Sequence, residues 1–290
     1  MSTPQPPMPQ AAAPAWQQTP GSAYPTYTSP IPVTQAHLGH AIASEWTKIR
    51  SLRSTLWTLG VFVLLVFGLG LLLGLVFASH PESIRGSNPL GIGLFGLMLG
   101  SICVNTLGVL TTASEYGTGM IRTTMTACPS RTRVLAAKSI VFFLLTFAVT
   151  FVSATLVAFI DMGLLSGHGA KSPTGSDWFK GTVGISLYIA LLGVLALVVG
   201  SILRHSAGAI TLMIGLVLAP LVVAIFMVAE SLDSIRKFLL EYSIPNQLSV
   251  FYSGSLTDTG PSGWDPLWIA LGLVAAAFAG AWLLLEKRDV

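Results

Sequence analysis

Six stretches of this chain contain no Asp, Glu, Lys or Arg: 54–81, 86–114, 139–160, 181–203, 205–229 and 266–285. Each is long enough to cross a bilayer, which takes about 20 apolar residues in helical form. Backbone groups surrounded by lipid must bond within their own segment, so the spacing predicts helices. They are placed at about 57–78, 90–112, 139–160, 181–203, 207–229 and 266–285, each apolar on nearly all faces. Charged residues make up only 9% of the 290 residues, against about 25% in a soluble domain. That composition disfavours a soluble enzyme, a disordered regulator and a nucleic-acid binder. The expected fold is all-α: a polytopic integral membrane protein with six transmembrane helices.

The flanking charges predict an orientation. With six spans, 10 Lys and Arg fall on the side of the termini and 5 on the other, while acidic residues divide 4 to 8. Basic flanks resist translocation, so both termini are expected to be cytoplasmic, in the cell membrane. A gain or loss of one span would scramble this asymmetry. Residues 1–35 hold nine of the 17 prolines and no charge. They lack the basic and apolar segments of a signal peptide and read as a disordered cytoplasmic tail that buries too little apolar area to offset its ordering entropy. Residues 36–290 form the membrane domain.

Leu38, Ile42, Trp46, Ile49 and Leu52 recur at helical spacing, with Lys48, Arg50 and Arg53 on other faces. This predicts an amphipathic helix in the headgroup layer. Between the second and third spans, Gly117 and Gly119 break the chain, 120–127 reads as a short helix stopped by Pro129, and Ser130 is placed to cap the third span. A short helix tethered at both ends to spanning helices can pass force from a soluble partner to the bundle. A basic loop that serves only topology has the same sequence signature.

The approach to the first span reads Glu45-Trp46-x-Lys48-x-Arg50-Ser51-x-Arg53-Ser54, and the segment after the second reads Glu115-Tyr116-x-Thr118-Gly119-x-Ile121-Arg122-Thr123-Thr124. Together with Arg131, Arg133 and Lys138 ahead of the third span, these pieces resemble the permease subunits of ABC type-2 transporters, in particular the actinobacterial ones, over about residues 38–290. The resemblance implies that 38–54 is a connecting helix, carrying Glu45, Trp46, Lys48, Arg50 and Arg53. It implies that 115–126 is a coupling helix that docks on an ATPase subunit through Glu115, Tyr116, Thr118, Gly119, Ile121, Arg122, Thr123 and Thr124. Gly117-Thr118 departs from the family's frequent second basic residue at this place. The resemblance further implies two permease chains, alike in a homodimer, two ATPase chains that carry the ATP and Mg, and short helices closing the outer end of the pathway between the last two spans. In that stretch, Leu232, Ile235, Phe238, Leu239 and Tyr242 suggest an amphipathic helix over 231–242, and 244–255 is aromatic and turn-rich. A surface loop covering the bundle is the other reading of this segment.

No residues suggest catalysis. The chain lacks GxxxxGK[ST], HExxH and GxSxG, so no cofactor is expected on it and ATP would be hydrolysed by its partner. His37 and His40 share a helix face without further ligands to complete a metal site. Cys103 and Cys128 read as ordinary small residues. No charge sits mid-span and Asp161 lies at a span's end, which disfavours an ion-coupled carrier. Asn105 fits either a place on the transport pathway or a bond to a neighbouring helix. The pairs Gly70/Gly74 and Gly96/Gly100 suit close helix contacts. The expected function is the permease half of an ABC exporter of a hydrophobic or amphiphilic substrate. The alternatives are a membrane structural or assembly factor and, third, a lipid-modifying membrane enzyme.

Overall fold

The computed structural model describes residues 37–128, 130–167, 169–252, 257 and 259–287, all within the unit Ala36–Val290. The proline-rich segment 1–35 and Pro129 lie outside them. The described chain contains no strand and is built from helices: α1 (Leu38–Ser51), α2 (Arg53–Ser79), α3 (Leu94–Gly117), α4 (Met120–Ala127), α5 (Arg131–Leu165), α6 (Gly175–Phe179), α7 (Ile185–Leu203), α8 (Ser206–Phe226), α9 (Asp233–Glu241), α10 (Ile244–Val250) and α11 (Asp265–Lys287). A π-helical turn, Lys180–Gly184, joins α6 to α7 in one continuous span, and a 3-10 turn, Pro89–Gly93, leads into α3. Six of these units are long and apolar enough to cross a membrane. The end of the bundle where α2 begins is called here the near end and the opposite one the far end.

All spans but the fifth run past at least one end of their charge-free stretch. The third extends from Arg131 to Leu165, starting eight residues before the expected 139. Ser130 caps it as expected, its hydroxyl accepting from the Arg133 N–H at 3.4 Å. Charge-free length marks the part of a helix suited to hydrocarbon, not the helix itself. A continuous helix satisfies its backbone wherever it emerges. The fifth span ends at Phe226, three residues short of the expected 229. Pro220 lies inside it without ending it. The amphipathic helix ends at Ser51, not 54: Leu52 is extended (ψ 117°) and Arg53 opens α2.

Helix α7 is the centre of the bundle. It packs against α3, α5, α8 and α11, and most of its residues are buried. Without water as a driving force between them, helices in lipid associate through close van der Waals packing, which small residues permit. Gly108 of α3 lies against the Gly193 carbonyl, and Gly200 of α7 against Thr112 and Val109. The Thr112 hydroxyl donates to the Leu197 carbonyl at 2.8 Å, fixing the register of α3 on α7. The two expected pairs do pack closely. Gly96 and Gly100 meet Val66 and Phe62 of α2, and Gly70 and Gly74 meet Val157 and Asp161 of α5. By contrast α2 presents only one buried stripe, Thr55, Phe62, Val66, Gly70 and Gly74. Its other faces are exposed and apolar, as hydrocarbon requires.

The far end holds two short helices. α9 has no buried residue and exposes Ile235 and Phe238, with Tyr242 exposed just after it, an amphipathic surface helix as expected. The next segment was expected to be turn-rich. Instead Ser243 caps a helix, α10, in which every residue is buried. Its polar side chains are tied to the preceding turn: Asn246 Nδ2 donates to the Glu241 carbonyl at 2.8 Å and Gln247 Nε2 to that of Tyr242 at 2.9 Å. Tyr252 follows, its hydroxyl donating to the Gly181 carbonyl of the π-turn at 3.0 Å. Burial raises the Tyr252 hydroxyl pKa well above its ordinary range. Gly181 and Gly184 leave room for the Tyr252 and Phe251 rings.

Candidate functional site

The near end gathers four ionisable side chains from three helices. Lys138 of α5 donates to Glu115 Oε1 of α3 at 2.6 Å and to Glu45 Oε2 of α1 at 2.8 Å. Lys48 of α1 donates to Glu45 Oε1 at 3.0 Å and to the same Glu115 oxygen at 3.1 Å. The side chains of Glu45, Glu115 and Lys138 are only 3% exposed, that of Lys48 30%. Two carboxylates and two ammonium groups make the cluster neutral, which makes its burial tolerable. Each charge taken from water needs a partner of the opposite sign, and removing one leaves the others uncompensated. Burial works against the Lys48 ammonium, but the Glu45 and Glu115 carboxylates bonded to it outweigh burial and raise its pKa above the usual lysine value.

The cluster also reaches α4. Lys48 Nζ donates to Thr124 Oγ1 at 3.3 Å, and that hydroxyl donates to the Met120 carbonyl at 3.2 Å. Gly119 opens α4 in the left-handed region (φ 73°), a conformation that costs a side-chain-bearing residue about 1–2 kcal/mol. Gly117, expected to break the chain as well, instead ends α3 in helical conformation. The bounds of α4 match the sequence reading. It buries Ile121 and exposes Met120, Arg122, Thr123 and Thr126. Beside Ile121, Glu115 and Lys138 lies a small cavity of about 20 Å³. At its edge the Arg204 guanidinium sits 5.0 Å from the centre of the Tyr116 ring. Arg204 is the positive-φ non-glycine among the described residues (φ 54°), so α7 ends in a strained turn at the foot of α3.

The sequence-derived site residues therefore divide. Arg122 and Thr123 face outward from α4, and Thr118 and Gly119 form the exposed turn before it. Glu115 and Tyr116 belong to the last turn of α3 rather than to the short helix. Glu115 points inward and is bonded to Lys48 and Lys138. On α1, Trp46 and Arg50 are exposed while Glu45 is buried, and Arg53 belongs to α2. Lys138, which the sequence presents as one more basic flank, is the cluster's central cation. Among the described residues neither side-chain atom of Asn105 has a hydrogen-bond partner. Cys103 and Cys128 are free thiols. No group of three metal-ligating side chains occurs among the described residues.

Fold and site define an all-α polytopic membrane protein whose buried near-end ion cluster joins three helices and grips a short helix projecting beyond the spans. No known protein family matches the chain, and no curated protein matches it in sequence.

Proposed function

We propose that this chain is the permease subunit of an ATP-driven ABC transporter of the cell membrane, exporting a hydrophobic or amphiphilic substrate. It works with a separate ATPase subunit and a second permease chain, alike in a homodimer, with both termini cytoplasmic. The observation that carries the reading is α4: exposed at Arg122, Thr123 and Thr126, and bonded through Thr124 to a cluster uniting α1, α3 and α5. A push on α4 then reaches three helices at once, since buried ion pairs couple rigid elements more tightly than a flexible loop. Spans this apolar and poor in charge favour a greasy cargo over an ion.

Gentle extraction of the full chain from its own membranes tests the partnership: an ABC-class ATPase should co-purify, and its absence contradicts the proposal. With such a complex, Arg122→Ala should weaken cargo-stimulated ATP hydrolysis about tenfold, equivalent to about 1.4 kcal/mol. Undiminished stimulation removes α4 from the coupling path. A membrane assembly factor without transport would show neither partner nor stimulation.

A further inference from the structure

The chain has a third buried carboxylate, and it is treated in the opposite way to the first two. Asp161 lies near the far end of α5 and is only 1% exposed. Among the described residues neither of its oxygens has a hydrogen-bond partner, and none of the ion pairs among those residues involves it. It sits against α2 at Gly74, where an added Cβ would come 2.5 Å from Oδ1 and 3.4 Å from a Leu164 methyl.

The surroundings leave few ligands for it. The α2 segment carries no ionisable side chain except Arg53, at the opposite end, and the Pro89–Gly93 turn and the adjoining stretch of α7 carry none beyond the buried Tyr188. The π-turn contributes Lys180, which makes no ion pair with Asp161. The Tyr252 hydroxyl spends its own proton on the Gly181 carbonyl. No second carboxylate, His or Cys stands by to complete a metal site among the described residues. A proton is the ligand that fits: it neutralises the carboxyl without needing space or further donors.

We infer that Asp161 is a proton-binding site that latches the far end of the α2–α5 seam, holding a proton while the seam is closed and releasing it to water when the seam parts. At its far end α2 meets α5 through Gly70 and Gly74, while its packing on α3, through Phe62 and Val66, lies nearer the near end, so the far end of the seam can part without disturbing that contact. The sign follows from linkage. The closed arrangement binds the proton, so acidification favours closure and alkalinisation favours opening. This device rests on the fold alone and holds whether or not the chain transports anything.

The test uses the full chain in lipid nanodiscs. Infrared difference spectra between wild type and Asp161→Asn at neutral pH should show the carbonyl stretch of a protonated carboxylic acid lost in the variant. Loss of an ionised-carboxylate band instead overturns the inference. Spin labels at Leu75→Cys and Ile160→Cys, with Cys103 and Cys128 replaced by Ser, should move apart as pH rises, and should stay together when Asp161→Asn is added. A distance that ignores pH, or that changes equally in the Asn variant, also overturns it. Should that variant not fold, carbon-13-labelled aspartate in the wild type decides by the same band: its presence supports the latch and its absence refutes it.

Discussion

Lys138 shows how one residue can hold a membrane bundle together from its edge. It is the meeting point of two carboxylates that lie 93 and 23 residues away in sequence. Replacing it with Met leaves Glu45 and Glu115 buried with Lys48 alone. The expected loss of unfolding stability is about 3–5 kcal/mol, as for other broken buried pairs. Arg122→Ala, on the exposed face of α4, should change stability by less than about 0.5 kcal/mol. Reversible unfolding in detergent compares the two directly. Lys48 sets the pH dependence. Its pKa is raised in the folded state from 10.5, so its contribution is complete below that value and is lost as pH rises through the higher folded one. Thermal stability traced against pH should show this contribution constant across the neutral range and declining only above about 10.5. A decline centred near neutrality would mean that Lys48 is not the bonded cation.

At the scale of elements, glycine positions separate packed faces from lipid-facing ones. An added Cβ at Gly96 would approach the Val66 backbone to 2.9 Å, whereas nothing lies within 4 Å of Gly60 or Gly68 on α2. Gly96→Ala should therefore destabilise by about 1–3 kcal/mol through overpacking. Gly60→Ala should be neutral or stabilising by about 0.5–1 kcal/mol, because alanine loses less backbone entropy in a helix. Equal effects at the two sites would contradict the packing of α2 on α3. The same scale shows what the sequence reveals. The six spans are legible because burial in lipid forbids charge over a fixed length. α4 is legible because Gly119 and Pro129 punctuate it. α10 is not: its residues, IPNQLSV, are buried on all sides by contacts with α3, α8 and α11, so no amphipathic period marks it. The π-turn is likewise invisible, since the partner of its Gly181 carbonyl, Tyr252, lies 71 residues away. The near-end cluster is half legible. Glu45, Lys48 and Glu115 stand out as motif residues, but their burial depends on Lys138, whose sequence context is that of an ordinary basic flank.

Across the whole molecule, the two ends of the bundle handle buried charge differently. The near end pairs its carboxylates with lysines, with Glu115 Oε2 alone left unbonded among the described residues, and so becomes rigid, while the far end leaves Asp161 to a proton and so can change state. The proposed transport function would use both properties, a stiff end where force enters and a yielding end where the seam opens. The central claim is that the ion cluster carries force from α4 into the spans. Cargo-stimulated ATP hydrolysis by the complex with Lys48→Met tests it most directly, because Lys48 joins Thr124 to both carboxylates while remaining off the exposed face of α4. The ATPase subunit should still co-purify while stimulation falls at least tenfold. Stimulation equal to that of the unaltered complex would contradict the claim.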